Sequence, residues 1–490
     1  MPKYLRTTLA TATATVLAAG LLTAATGFAS AADSAAAAGN GRQGDFNGDG
    51  YRDLVVAAPV ATVDGKKGAG AVTVLYGSPR GVDAARRTTL SQNSPGVPGA
   101  AEAGDLFGAA LAVGDFDSDG FADLAVSAPN EDVSGDVDGG TVQILWGAAG
   151  GLSGKGSATL ADPAPSQHDL LGSALAAGDF DRDGTADLAV GASSSTLHVF
   201  KGGFSRAGKS AARSAIALPV LGEGNGILQL TSGEVTDQGY ADLVVSAYDK
   251  TAPHPSVNYY LPGTDTGLSG ARAMRLPGGY ITAIGDVNGD GFGDLVTGMH
   301  FDDRVPGATK GGKVNVIHGS ASGPRVDLID TITQESGAVP GSSEKGDKFG
   351  YEVSLGDING DGMQDLAIGV ASESIDGVRE AGAVTVLRGS PSGIDTTHNV
   401  QYFHQNSPGV PGSDEERDLF GGEVFFSDLN GDKKADLTVG ANYEDGGDGA
   451  IVTLPSDGSR LTTTGSRFVA ASAAGISTAG APQFGSIIAG

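Results

Sequence analysis

The stretch Asp115-Phe116-Asp117-Ser118-Asp119-Gly120-Phe121-Ala122-Asp123 places carboxylates at positions 1, 3, 5 and 9 of nine residues. Five further stretches keep this pattern, with Asp or Asn at position 3. They start at Asp45 (DFNGDGYRD), Asp179 (DFDRDGTAD), Asp286 (DVNGDGFGD), Asp357 (DINGDGMQD) and Asp428 (DLNGDKKAD). Each runs into a Leu and a short apolar segment, such as Leu124-Ala125-Val126. A hard cation such as Ca²⁺ takes about six to eight oxygen ligands at roughly 2.3–2.6 Å. A tight turn with side-chain oxygens at 1, 3, 5 and 9 and a backbone carbonyl at 7 supplies most of that shell. Gly at position 6, as in Gly120, gives the positive φ such a turn needs.

The expected ligands therefore follow loop by loop. The first offers Asp45, Asn47, Asp49 and Asp53 with the Tyr51 carbonyl, and the second Asp115, Asp117, Asp119 and Asp123 with that of Phe121. Next come Asp179, Asp181, Asp183 and Asp187 with Thr185, then Asp286, Asn288, Asp290 and Asp294 with Phe292. The last two offer Asp357, Asn359, Asp361 and Asp365 with Met363, and Asp428, Asn430, Asp432 and Asp436 with Lys434. Asp-Gly turns are common between strands for conformational reasons alone. That accounts for positions 5 and 6, not for the recurrence of Asp at the first and ninth positions in six loops. Mg²⁺ suits the pattern less well, because it favours rigid octahedral sites and retains water.

Residues 1–31 read as an export signal. Lys3 and Arg6 precede an Ala/Leu/Thr stretch over 9–27, and Ala29-Ser30-Ala31 fits the small-x-small cleavage rule. A linker, 32–43, follows, and no later segment is long and apolar enough to span a bilayer. With 0 Cys the chain has no disulfides and no lipoprotein anchor, so free secretion as a monomer is expected. Bound metal would take over the reinforcing role: at millimolar Ca²⁺ and a Kd of about 0.1–1 mM, each site adds about 0.4–1.4 kcal/mol. The net charge of −27 argues against nucleic acid and anionic membrane surfaces as partners.

Spacing between the six loop starts is 70, 64, 107, 71 and 71 residues, and the long interval hides a seventh copy. Glu234-Val235-Thr236-Asp237-Gln238-Gly239-Tyr240-Ala241-Asp242 aligns to the pattern without gaps, but Glu, Thr and Gln replace the first three ligands. This loop should bind metal weakly or not at all. Periods of this size indicate stacked supersecondary units. In the second unit the β-branched runs fall at 111–114, 124–128, 141–146 and 158–161, separated by Gly, Asp and Pro turns. Four short strands, seven times over, predict an all-β, seven-bladed β-propeller over 44–490, with Ca²⁺-binding turns between strands A and B.

Before the loops stand Phe107-Gly108, Phe349-Gly350 and Phe420-Gly421, with Leu171-Gly172 as a variant. After them come Ala57-Ala58-Pro59, Ser127-Ala128-Pro129 and Gly191-Ala192-Ser193. Together these resemble FG-GAP repeats, the units of the integrin α-subunit propeller and its secreted bacterial relatives. Blades are expected to start near 45, 107, 171, 226, 278, 349 and 420, the fourth and fifth lacking the Phe-Gly pair. The first unit has a loop but no preceding strand, and the chain ends in an orphan FGSIIAG, 484–490. Seven residues from that end plus Gly44 equal the eight of FGAALAVG before Asp115, which predicts that 484–490 completes blade one and closes the ring.

In such a meander the A–B loops share one face and the long loops the other, the face that binds ligand in the integrin relatives. Gln92-Asn93-Ser94-Pro95-Gly96-Val97-Pro98-Gly99 recurs almost unchanged at 405–412 and more loosely at 334–341. Acidic residues follow each copy. Glu102 and Asp105, with Glu131 and Asp132 from a B–C loop, are the candidates for a partner-binding rim; repeat duplication of solvated turns explains them equally well.

Catalytic patterns are missing from the sequence: the 7 His are scattered without HExxH or HxH spacing, and no GxSxG elbow or thiol is present. FG-GAP propellers also accompany glycosylphosphatidylinositol-specific phospholipase D, whose catalytic part is a separate zinc domain. Three readings follow: a calcium-dependent adhesion module for a protein or glycan, a hydrolase of the phospholipase D class, or a structural envelope protein. The first leads, because the carboxylates fill closed loops, whereas catalytic metals keep an open position.

Overall fold

The computed structural model describes residues 44–133, 135–162, 167–222, 226–251, 255–301 and 307–490. The export signal and linker expected over 1–43 lie outside the described residues, as does His254. Among the described residues no helix is long and apolar enough to cross a membrane.

Among the described residues, twenty-eight strands form seven four-stranded antiparallel sheets. Blade I holds β1 (Leu54–Ala58), β2 (Ala71–Leu75) and β3 (Arg87–Leu90). Blade II runs β4 (Leu111–Gly114), β5 (Asp123–Ala128), β6 (Thr141–Leu145) and β7 (Ala158–Thr159). Blade III runs β8 (Leu175–Gly178), β9 (Asp187–Val190), β10 (Thr196–Phe200) and β11 (Arg213–Ala217). Blade IV runs β12 (Ile227–Gly233), β13 (Asp242–Tyr248), β14 (Ser256–Leu261) and β15 (Met274–Leu276). Blade V runs β16 (Ile281–Gly285), β17 (Asp294–Met299), β18 (Lys313–Ile317) and β19 (Ile329–Ile332). Blade VI runs β20 (Phe349–Gly356), β21 (Asp365–Val370), β22 (Ala383–Leu387) and β23 (Gln401–Phe403). Blade VII runs β24 (Phe420–Ser427), β25 (Asp436–Ala441), β26 (Ala450–Leu454) and β27 (Arg467–Ala470).

β28 (Ile487–Ala489) lies antiparallel against β1, pairing Val55 with Ala489 and Ala57 with Ile487. It is the fourth strand of blade I. The phenylalanine that opens this segment is held as its counterparts are. Phe484 N–H donates to the Asp448 carbonyl at 3.1 Å, where Phe107 N–H donates to Ala69 and Phe420 N–H to Ala381, 3.0 and 2.9 Å. Gly485 has φ +91°, and a Cβ there would stand 2.7 Å from the Ala450 carbonyl oxygen. Gly is needed after each Phe because the backbone crosses so close to the neighbouring blade.

The apolar core lies between blades. Leu54, Val56 and Leu75 of blade I pack with Phe425 and Ile451 of blade VII and with Phe484 and Ile488. Val55, Val72 and Val74 pack on their other side with Leu111, Leu124 and Val126 of blade II. Strands buried on both faces explain the near-continuous Val/Leu/Ala runs, such as Leu-Val-Val-Ala-Ala over β1.

Candidate metal centres and the opposite rim

In every A–B turn the position-1 carboxylate accepts the position-6 N–H, and in six of them the position-5 carboxylate accepts the position-7 N–H. In blade II, Asp115 Oδ1 accepts the Asp119 N–H at 3.1 Å and Oδ2 that of Gly120 at 3.0 Å. Asp119 Oδ1 accepts the Phe121 N–H at 3.1 Å. Position 2, Phe116 here, points inward and is 0% exposed. Position 6 has positive φ in all seven loops, including Lys433 at +67°. Position 4 is left-handed as well: Gly48, Gly289, Gly360 and Gly431, but also Ser118, Arg182 and Asp237. At Gly48 crowding adds to the conformational demand, since a Cβ would meet Phe121 Cε1 of the next blade at 2.6 Å.

Position 9 is a backbone clamp. Asp53, Asp123, Asp187, Asp242, Asp294, Asp365 and Asp436 are all buried. Each Oδ1 accepts the N–H of the residue two past strand C, at 2.7–2.9 Å, as Asp123 does from Gly147. In six of them Oδ2 accepts the position-2 N–H at 2.9–3.1 Å. Burial, opposed by these donors, pushes the carboxyls up, to about 8 at Asp123 and about 7 at Asp53 and Asp187. Neighbouring turns are also joined. The position-8 N–H groups of Ala122, Ala241, Gln364 and Ala435 donate to the position-1 carbonyls of Asp45, Asp179, Asp286 and Asp357 at 2.8–3.1 Å.

In blades II and III the turns bring three carboxylates together. Oxygens of Asp115, Asp117 and Asp123 lie within 4.8 Å of one another, as do those of Asp179, Asp181 and Asp187. Asp117 Oδ1 and Asp181 Oδ1 are buried without a hydrogen-bond partner among the described residues. An orphaned buried carboxylate oxygen is costly unless a cation meets it. The donor set contains oxygen only, so these residues fit a hard divalent cation.

Side-chain cations attend the loops to different degrees. Arg86 reaches Asp49 at 2.9 Å, and Arg206 reaches Asp117 and Asp119 at 2.5 Å each. Lys201 bonds Asp181 and lies 2.9 Å from Asp183. His318, which sequence position alone suggests is a packing residue, instead faces Asp294 Oδ1 at 3.3 Å and Asp330 at 2.9 Å. His198 is buried at 3% exposure, with Nδ1 3.2 Å from Arg213. Asp242 keeps the clamp in blade IV, while Glu234 accepts the Gly239 N–H across the turn. Arg182 of blade III donates to the Gln238 carbonyl at 3.0 Å, so a guanidinium already lies beside this degenerate loop.

The opposite rim divides into two kinds of residue. Glu102 and Asp132 are exposed. Asp105 is 3% exposed, and its Oδ2 accepts the Glu102 N–H at 2.5 Å. Glu131 accepts the Gln92 amide at 2.6 Å and so ties a blade I linker to a blade II loop. The arrangement recurs as Gln334 to Glu373 at 2.8 Å and Gln405 to Glu444 at 2.5 Å. Burial pushes Glu373 and Glu444 up to about 7 each. Of the four rim candidates, Glu131 therefore latches two blades together and Asp105 braces its own linker, which the repeat spacing did not reveal.

Comparison with known proteins fits this geometry. The FG-GAP repeat family matches residues 43–75, 107–145, 171–210, 349–387 and 420–454. Blades IV and V, which lack the Phe-Gly pair, are not among those matches. Bovine (Bos taurus) phosphatidylinositol-glycan-specific phospholipase D is 33% identical over 195 residues, 39% of this chain and 21% of that protein. Mouse (Mus musculus) integrin alpha-IIb is 36% identical over 152 residues, 30% of this chain and 14% of that protein. The chain thus spans about a fifth or less of these relatives. Among solved structures, the Dos1 propeller aligns over 79% of this chain and 78% of its own, with a TM-score of 0.42 at 10% identity.

Proposed function

We propose, for a chain that is an FG-GAP, integrin-like seven-bladed propeller, that it is a secreted, calcium-binding adhesion module for a protein or glycan partner. The observation that carries this reading is the pair of convergent carboxylate trios, each with an orphaned buried oxygen. Ca²⁺ would be held by the loop oxygens already named, and its charge would offset repulsion among three or four carboxylates per turn. The carboxylates at the first and ninth positions of each loop fix the turn through backbone donors before any ion arrives, so the shell is preorganised. The metal's role here is structural: it ties strand A, strand B and the end of strand C into one face of the ring. Partner contact then falls to the opposite face, where the Glu102 side chain is exposed and holds no hydrogen bond among the described residues, and the exposed Asp132 holds only the Asp138 N–H of its own loop at 3.0 Å. Such a surface suits a cationic or cation-bridged partner, with association weakening as salt rises.

The test joins calcium titration by calorimetry to binding on immobilised glycans and extracellular matrix proteins, with and without chelator. Chelator-sensitive capture of a defined partner supports the reading; saturable capture that ignores chelator contradicts it. A second reading, hydrolysis of phosphodiesters, draws on the phospholipase D likeness. Turnover of a phosphodiester substrate by the pure chain would favour it.

A further inference from the structure

We infer that the A–B loop of blade VI carries its own resident cation, Arg388, and is thereby excluded from the calcium-binding set. This rests on the calcium reading above and names which of the six patterned loops departs from it. The residue just before each strand-C clamp differs from blade to blade: Tyr76, Trp146, Lys201, Pro262, His318, Arg388 and Pro455. In blades V and VI that side chain meets the position-9 carboxylate, His318 Nδ1 at 3.3 Å from Asp294 Oδ1 and Arg388 as an ion pair with Asp365. In blade VI, Arg388 Nη1 donates to Asp365 Oδ2 at 2.7 Å, and Nη2 donates to the Ser459 carbonyl oxygen. Both partners of the ion pair are buried, with side-chain exposures of 9% for Arg388 and 1% for Asp365.

The lone pairs decide the matter. Asp365 Oδ2 also accepts the Ile358 N–H at 3.1 Å, and Oδ1 accepts the Gly389 N–H at 2.9 Å. A carboxylate offers about four lone-pair sites, and three of these have donors. At position 5, Asp361 Oδ2 additionally accepts the Asn359 amide at 2.7 Å. In blade II, Asp123 has only its two backbone donors, and Asp117 Oδ1 has none.

His318 of blade V also faces a position-9 carboxylate, but an imidazole can stand neutral beside an ion, which a guanidinium cannot. The other attending cations are displaceable: Arg86, Lys201 and Arg206 are 47%, 39% and 51% exposed, Arg86 reaching position 5 and the other two positions 3 and 5, and all three leave the position-9 clamp untouched. Water solvates each of them once it leaves. Moving Arg388 aside for a divalent ion would strand a buried guanidinium next to that ion, which is strongly unfavourable.

Native mass spectrometry of the folded chain in Ca²⁺, against a chelator-treated reference, counts the ions directly. Arg388→Met should bind one more Ca²⁺ than the parent. Asp357→Asn should leave the parent's count unchanged and cancel the gain in Arg388→Met. A parent that loses one ion on Asp357→Asn, or an Arg388→Met protein with the parental count, overturns the inference. If Arg388→Met does not fold, Asp357→Asn in the parent decides alone. A parent that binds no Ca²⁺ removes the calcium reading itself, a result distinct from an unchanged count between variants.

Discussion

Replacing Asp242 by Ala removes both backbone anchors of the blade IV turn while touching the loop with the poorest metal ligands. Asp242 is 0% exposed and accepts the Val235 N–H at 2.9 Å and the Gly263 N–H at 2.8 Å. Each buried donor left without a partner costs about 1–3 kcal/mol. Burial holds this carboxyl up at about 6, so removing it relieves some desolvation. The net loss expected is therefore toward the low end of the two-bond sum, about 2 kcal/mol. It should be the same in Ca²⁺ and in chelator. Asp123→Ala loses the same two bonds and, in addition, the increment of one bound ion, about 0.4–1.4 kcal/mol in millimolar Ca²⁺. Urea denaturation of parent and both variants, with Ca²⁺ and with chelator, separates the two effects. Parental stability of Asp242→Ala in chelator would falsify the clamp, and equal calcium-dependent losses in the two variants would show that loop IV is occupied.

Further outcomes follow from other parts of the ring. Glu373 and Glu444, pushed up by burial to about 7, contribute stability that is complete below their unfolded range near 4.5 and lost as pH rises through 7. Chelator-treated protein should accordingly melt lower at pH 8 than at pH 5.5. Glu373→Gln with Glu444→Gln should flatten that slope by about 1 kcal/mol per residue after solvent screening; an unaltered slope assigns it to other groups. Removing 484–490 strips Phe484 and Ile488 from the blade I–VII core and Ile487 from the blade I–II core, and should cost several times the roughly 1.5–3 kcal/mol of one buried side chain. A truncated protein that melts like the parent contradicts a closing role for β28. Glu102→Gln should weaken partner capture at low salt and leave the melting temperature alone, whereas Asp105→Asn should lower it.

Much of this was legible because repetition averages out local ambiguity. The nine-residue pattern located every A–B turn, and the runs at 111–114 and 141–146 of the second unit coincide with β4 and β6 to within a residue. Even the degenerate copy at Glu234 forms the turn, since Gly239 and Asp242 retain its two conformational requirements. What the sequence hid depends on contacts between residues distant in the chain. The role of Asp at position 9 as a clamp needs the N–H two residues past strand C, about twenty residues away, and so looks from sequence like a metal ligand alone. Glu131 reads as surface charge because nothing local marks Gln92 as its partner. Position 4 carried a signal, Gly in four of the seven loops, but Ser118 and Arg182 obscured it. The side chain before each strand-C clamp varies from Pro to Arg, and only the contact of Arg388 with Asp365 shows that the blade VI loop differs.

The most direct test is the melting temperature of the chain from residue 44 onward in excess chelator and in millimolar Ca²⁺. Carboxylates crowded into each turn, with orphaned oxygens at Asp117 and Asp181, predict a melting temperature several degrees higher with Ca²⁺. Several sites of about 0.4–1.4 kcal/mol each would supply that rise. It should shrink by the share of two sites when Asp123 and Asp187 are replaced together by Asn. An identical melting temperature in chelator and in Ca²⁺ would contradict metal binding by these loops in the folded protein.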